Sequence, residues 1–112
     1  MRVYAIIVAA GDGKRMGGKV KKPYLELAGH PLLFYALRNI SNSPLIAGTV
    51  LVAGNGLVDY CRQEIVEAYG FNRVLSVIEG GAQRQDSVYH GLKALPEDAE
   101  MVMIHDGVRP FV

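Results

Sequence analysis

Val3-Tyr4-Ala5-Ile6-Ile7-Val8 runs directly into Ala9-Ala10-Gly11-Asp12-Gly13-Lys14-Arg15-Met16. The first six residues are apolar without alternation, which predicts a strand covered on both faces, as in a parallel sheet. Two glycines one residue apart then let the backbone turn sharply and leave room for a bulky group against the main chain. A loop of bare N–H groups beside Lys14 and Arg15 suits phosphate held at the carboxyl end of a strand. A tight strand-to-helix turn with surface cations is the competing reading of the same residues.

The remainder of the chain alternates strand and helix patterns. Gly17–Pro23 is basic and broken, and reads as a mobile loop carrying three lysines. Tyr24–Leu27 is a short extended piece ending at Ala28-Gly29. His30-Pro31 predicts a helix start, with Leu33, Ala36, Leu37 and Ile40 on one face, and Ser41-Asn42-Ser43-Pro44 stops it. Thr49–Val52, inside Ile46–Ala53, is a second buried-type strand, turned by Gly54-Asn55-Gly56. Val58, Cys61, Ile65 and Tyr69 keep the helical period from Leu57 to Tyr69, and Gly70 caps that helix. Arg73–Ile78 is a third strand, and Glu79-Gly80-Gly81-Ala82 is a second glycine turn. A helix over about Gln83–Leu95 follows, with Val88, Leu92 and Leu95 inward and Pro96 closing it. Met101–Ile104 is a fourth apolar strand with His105 and Asp106 at its carboxyl end.

This order implies an α/β fold with a mainly parallel sheet and right-handed crossovers. Ligands of such sheets lie beyond the carboxyl ends of the strands. That rule gathers Gly11–Arg15, Gly80–Ser87 and Asp106–Arg109 on one rim, which strengthens the phosphate-loop reading.

Composition narrows the partners. The chain has 112 residues, enough for a single domain over 1–112, and is 50% hydrophobic and 21% charged. A formal net charge of +1 provides no general field for nucleic acid or an anionic membrane. One cysteine excludes an internal disulfide and no Cys/His cluster has zinc spacing. Cys61 lies on an apolar helical face and reads as core filler rather than nucleophile. Arg2 followed by Val3–Ala10 imitates a signal peptide, but Asp12, Lys14 and Arg15 stand where a small-residue cleavage site belongs. No segment has the length of a membrane span. A soluble, cytoplasmic protein is expected.

Two better-known phosphate loops do not match. A dinucleotide fingerprint needs a third glycine where Met16 stands. Gly13-Lys14-Arg15-Met16-Gly17-Gly18-Lys19 follows the P-loop pattern until Val20, where the magnesium-binding Ser or Thr is missing.

The opening stretch, with Lys22 and Tyr24-Leu25, instead resembles the signature of sugar- and polyol-phosphate nucleotidyltransferases. Gly80-Gly81-Ala82-Gln83-Arg84-Gln85-Asp86-Ser87-Val88 and Ile104-His105-Asp106-Gly107-Val108-Arg109-Pro110 narrow the resemblance. With all three motifs in order, the chain is similar to the N-terminal, CTP-binding part of the 2-C-methyl-D-erythritol 4-phosphate cytidylyltransferase family. Members are CTP-dependent enzymes of the non-mevalonate isoprenoid pathway. The resemblance implies a Rossmann-like three-layer α/β/α fold of the nucleotide-diphospho-sugar transferase type, incomplete in this chain. A missing second half would carry further basic positions for the substrate and the arm through which the family forms homodimers.

The same resemblance implies the site. Arg15 and Lys22 match the two cations that stabilise the transition state, with Lys21 as the fallback for the second. Ala10, Gly11 and Gly13 offer backbone contacts to the nucleotide, and Lys14 and Lys19 add diffuse attraction. Gly81, Ala82 and Ser87 match the positions that recognise cytosine and ribose. Asp106 matches a residue near ribose and the Mg²⁺ ion, Gly107 lies beside it, and Arg109 lies near the substrate phosphate or Asp106. Arg84 is either a support of its turn or a surface cation. The chain departs from the family pattern at Ala82, where Asp is usual, at Gly107, where Ala is usual, and around Lys22-Pro23. His105 points away from Asp106 by strand alternation and reads as structural, and His30 and His90 have no partner at catalytic spacing.

Ribitol-5-phosphate cytidylyltransferases share the His-Asp-x-x-Arg-Pro pattern and are the nearest alternative. Ala9-Ala10-Gly11 and Ser87 favour the methylerythritol reading. A non-catalytic CTP-binding module is the reading from another class.

Overall fold

The computed structural model describes residues 2–10, 15–16, 20–21, 26–27 and 30–107. Four parallel strands form the main sheet: β1 (Val3–Val8), β6 (Ile46–Ala53), β7 (Val74–Glu79) and β8 (Met101–Asp106), in the order β7-β6-β1-β8. β1 lies between β6 and β8, so both its faces and both its edges are covered. Every residue from Tyr4 to Val8 is buried, as the unbroken apolar run predicts.

The alternation of β1 divides the interior into two layers. Ala5 and Ile7, with Leu51, Ala53 and Val77, meet Leu33, Leu37 and Ile40 of α1 (Leu32–Ser41) on one face. Cys61 and Ile65 join them from the second helix, which begins as α2 (Val58–Tyr60) and continues as a π-helical stretch over Cys61–Glu67. Wide turns of this stretch close through bonds from Ala68 N–H to Gln63 O and from Phe71 N–H to Val66 O. Ile6 and Val8, with Val50 and Val52, meet Val88, Ala94 and Leu95 on the opposite face, where α3 (Arg84–Lys93) packs. The result is the expected three-layer α/β/α arrangement. Cys61 is buried in the first layer, as a core residue should be.

Several local expectations need correction. His30–Pro31 does not start the helix: it is strand β5, paired antiparallel with β4 (Glu26–Leu27), and α1 begins at Leu32. Pro31 has φ −59° and ψ 149°, because its ring fixes φ but leaves ψ free to be extended. The basic segment after the glycine loop is not loop throughout, since β2 (Arg15–Met16) pairs antiparallel with β3 (Val20–Lys21), with Arg15 opposite Lys21. Leu92 does not point inward and is 44% exposed. α3 instead approaches the sheet through the small residues Ser87 and Gly91, one helical turn apart, and Leu92 falls off that row. Tyr69 lies beyond the helix, 37% exposed, in a ring cluster with His30, Phe34 and Phe71. Among the described residues β8 lies at the edge of the sheet, and Met101, Met103 and Ile104 are exposed on it.

Candidate active site at the sheet's switch point

The strand order creates the crevice. From β1 the chain builds outward through β6 to β7, then crosses back to lay β8 on the far side of β1. Its first two connecting helices cover one face and α3 covers the other. Where successive connections part to opposite faces, a cleft opens beyond the carboxyl ends of the strands. Here that point lies between β1 and β8.

Three chain exits meet around it, each tied to a neighbouring strand. Ala9 N–H donates to Val52 O at 2.8 Å, Gly80 N–H to Ala53 O at 3.0 Å, and Gly107 N–H to Val8 O at 2.9 Å. The backbone positions are therefore set by the ends of the sheet rather than by loop preference. Ala10 and Ser87 are buried where two of these exits approach each other, with Gly80 between them. A Cβ on Gly80 would overlap the Ala10 Cβ and lie 2.5 Å from Ser87 Oγ. Only glycine fits there without displacing one neighbour.

Ser87 reaches this place because it sits in the first turn of α3. Its Oγ accepts a hydrogen bond from Gly81 N–H at 3.1 Å, and the residue is fully buried. Gln83 N–H donates to Asp86 Oδ2 at 3.2 Å, a short-range bond that starts the helix directly after the glycine pair. Ala82 lies exposed in the turn between them, with no polar side-chain group to offer.

Asp106 is the last residue of β8, in register with Val8 at the end of β1. Arg84, the first residue of α3, donates to Asp106 Oδ1 from Nη2 at 3.2 Å and from Nε at 3.4 Å. The turn-supporting alternative for Arg84 thus has a specific form: its guanidinium bridges α3 and β8 across the crevice. Among the described residues no three His, Cys, Asp or Glu side chains form a metal cage. A single carboxylate such as Asp106 fits Mg²⁺ where phosphate oxygens and water complete the shell, since the ion commonly takes one or two carboxylates together with these.

The predicted site residues divide as follows. Ala10, Gly81, Ala82, Ser87, Asp106 and Gly107 lie among the described residues, on the loops and strand ends that meet at this rim. Arg15 is placed by its strand pairing alone. Gly11, Gly13, Lys22 and Arg109 lie outside the described residues, as do Lys14 and Lys19. Gly80 was expected only as a turn residue, and its close approach to Ala10 needed the three-dimensional arrangement. His30 accepts or donates a bond with Tyr69 OH at 2.8 Å, and His90 Nδ1 donates to Glu79 O at 3.0 Å, so each has a structural partner.

Residues 3–112 match the model of the 2-C-methyl-D-erythritol 4-phosphate cytidylyltransferase family. The chain is 46% identical to the protein of that name from Clostridium kluyveri, over 97% of this chain and 47% of the relative. It is 51% identical to a bifunctional enzyme IspD/IspF from Desulforudis audaxviator, over 96% of this chain and 27% of the relative. A crystal structure of 4-diphosphocytidyl-2C-methyl-D-erythritol synthase from Anaerococcus prevotii superposes with a TM-score of 0.80 at 32% identity, covering 98% of this chain and 45% of that one. The chain spans about half the length of the single-function relatives it matches.

Proposed function

The chain belongs to the 2-C-methyl-D-erythritol 4-phosphate cytidylyltransferase family, and from that membership we propose that it forms the CTP-binding part of an enzyme that transfers CMP. The acceptor is 2-C-methyl-D-erythritol 4-phosphate, and the products are 4-diphosphocytidyl-2-C-methyl-D-erythritol and pyrophosphate. The reading places the protein in isoprenoid precursor synthesis by the non-mevalonate route, as a cytoplasmic homodimer when full length. One observation supports it most: Ala10, the Gly80–Ser87 turn and Asp106 converge at the switch point of the sheet.

In the proposed reaction a phosphate oxygen of the acceptor attacks the α-phosphorus of CTP. One P–O bond forms there, and the bond to the bridging oxygen of the β-phosphate breaks as pyrophosphate leaves. The protein's task is to align two polyanions that repel each other and to stabilise charge gathering at the α-phosphorus. Arg15 and Lys22 are assigned that stabilisation, Arg15 through its planar fork and Lys22 as a point charge. Ala10, Gly11 and Gly13 receive the phosphates through backbone groups. Gly81, Ala82 and Ser87 are assigned cytosine and ribose, with pyrimidine selection resting on backbone groups and the Ser87 hydroxyl. Asp106, with Gly107 beside it, faces ribose and would hold Mg²⁺, while Arg109 serves the acceptor phosphate. When bound, the ion would neutralise triphosphate charge and polarise the α-phosphate.

Among the described residues no helix is long and apolar enough to cross a membrane. The proposed partners are CTP and a polyol phosphate, not a nucleic acid polymer.

Incubating the full-length protein with CTP, Mg²⁺ and either 2-C-methyl-D-erythritol 4-phosphate or ribitol 5-phosphate tests the reading. Pyrophosphate should be released with the first acceptor. Release with the ribitol ester alone, or binding of CTP without turnover on either, would overturn the assignment.

A further inference from the structure

We propose that His105 is a positioning residue, which fixes the Asp106 carboxylate by holding the peptide that follows it. The inference rests on the reading of Asp106 as a CTP-site residue.

His105 stands opposite Ile7 in the β1–β8 ladder and is buried, only 6% exposed. The four residues before it, Met101 to Ile104, are all apolar, so an imidazole here is a departure from its own strand's pattern. Its Nδ1 lies 2.6 Å from the carbonyl oxygen of Asp106. A carbonyl can only accept, so Nδ1 carries a proton and donates. Nε2 has no hydrogen-bond partner among the described residues. Among the described residues the ring's polar contact is therefore made at Nδ1.

That bond joins adjacent residues and links no distant elements, so its effect is local. The peptide between Asp106 and Gly107 donates its own N–H to Val8 O at 2.9 Å. Both ends of one peptide plane are thus held, the oxygen by His105 and the N–H by β1. Fixing this plane fixes ψ of Asp106, and with it the direction in which the carboxylate meets Arg84 and the crevice. An apolar residue could fill the ring's volume, but it would remove this donor from the Asp106 carbonyl and leave the plane without its second tether beside the bond to β1.

Asparagine presents a donor near the position of Nδ1, whereas glutamine presents one near Nε2. In the full-length enzyme, His105→Leu and His105→Gln should each lower kcat by about 10–100-fold, as expected for a small misplacement of a site group. KM for the polyol phosphate should stay near the wild-type value, and His105→Asn should recover most of the lost activity. Thermal unfolding of each variant shows whether it is folded, and the Gln and Asn pair remains informative if the Leu variant is not. Asp106→Asn is assayed in parallel. A wild-type rate in His105→Gln, or equal losses in His105→Asn and His105→Gln, would overturn the inference while a crippled Asp106→Asn left the site reading intact. A fully active Asp106→Asn would overturn the site reading itself, and this inference with it.

Discussion

Arg84 and Asp106 lie 22 residues apart in sequence and form an ion pair, with Nη2 and Oδ1 separated by 3.2 Å. The pair connects the first residue of α3 to the last residue of β8, on either side of the crevice. Its side chains are 56% and 33% exposed. Water and salt therefore screen much of the attraction, and such pairs contribute between zero and about 1 kcal/mol. Arg84→Gln should leave unfolding free energy within about 1 kcal/mol of the parent in urea titrations. A loss of several kcal/mol would show that the pair supports the fold rather than orienting a site carboxylate.

Gly80 and Ser87 act through the same contact. Adding a methyl group at Gly80 would push against Ala10 and Ser87, and overpacking of this kind costs about 1–3 kcal/mol. Ser87→Ala removes the acceptor for the part-buried Gly81 N–H, and loss of such a hydrogen bond costs about 0.5–1.5 kcal/mol. Both variants should weaken CTP binding by about tenfold or more, the equivalent of 1.4 kcal/mol. Calorimetric titration checks this, and unchanged affinity in Gly80→Ala would separate the turn from the nucleotide.

Gly91 separates two opposing effects. Alanine would raise helix propensity in α3 by up to about 1 kcal/mol. Its Cβ would also meet Ile6 Cγ2 at 2.7 Å, in the fully buried centre of the sheet. Overpacking of about 1–3 kcal/mol should win. Gly91→Ala is therefore expected to lower the urea midpoint, and a raised midpoint would mean that α3 sits less tightly on β1.

Arg15→Ala and Lys22→Ala, made in the full-length protein, should reduce turnover far more than CTP affinity. A group engaged mainly in the transition state lowers kcat with little effect on ground-state binding. Steady-state kinetics alongside CTP titration distinguishes the cases. Equal losses in both quantities would reassign these cations to simple nucleotide binding.

Alkaline stability should depend on Tyr4. Its hydroxyl donates to Asp98 Oδ1 at 2.9 Å, and this bond, followed by burial and the carboxylate charge, raises the phenol above its ordinary value. A group whose pKa is raised on folding stabilises the native state below its unfolded pKa, and that contribution disappears as pH rises through the folded pKa. The parent should therefore lose stability above about pH 10. Tyr4→Phe should flatten that part of the profile in denaturation experiments, and an unchanged slope would exclude Tyr4 as its source.

The main architecture was legible because it is carried by long runs and regular spacing. Val3–Val8 declared a strand covered on both faces, and Leu33, Ala36, Leu37 and Ile40 marked a helix face that is buried. The pairs β2–β3 and β4–β5 were not legible, since strands of two residues contain no period to detect. Leu92 was misplaced because helical spacing identifies apolar positions, whereas α3 makes its closest approach with Ser87 and Gly91. Nothing in Met101–Ile104 distinguishes an edge strand from a central one. Spacing also could not show that Arg84 takes Asp106, or that His105 holds the following peptide. Gly81, Ser87 and Asp106 were named from motifs, which are local in sequence, and the strand ends bring them to one rim.

The most direct test of the crevice as a CTP site is to follow the backbone amides by NMR while CTP and Mg²⁺ are added, with ATP as the control. The largest CTP-induced shifts should fall on Ala10, Gly81, Ser87, Asp106 and Gly107, with much smaller changes for ATP at the same concentration. Shifts centred elsewhere, such as the surface hollow lined by Ile78, Glu79, His90 and Lys93, or equal responses to ATP and CTP, would contradict the account.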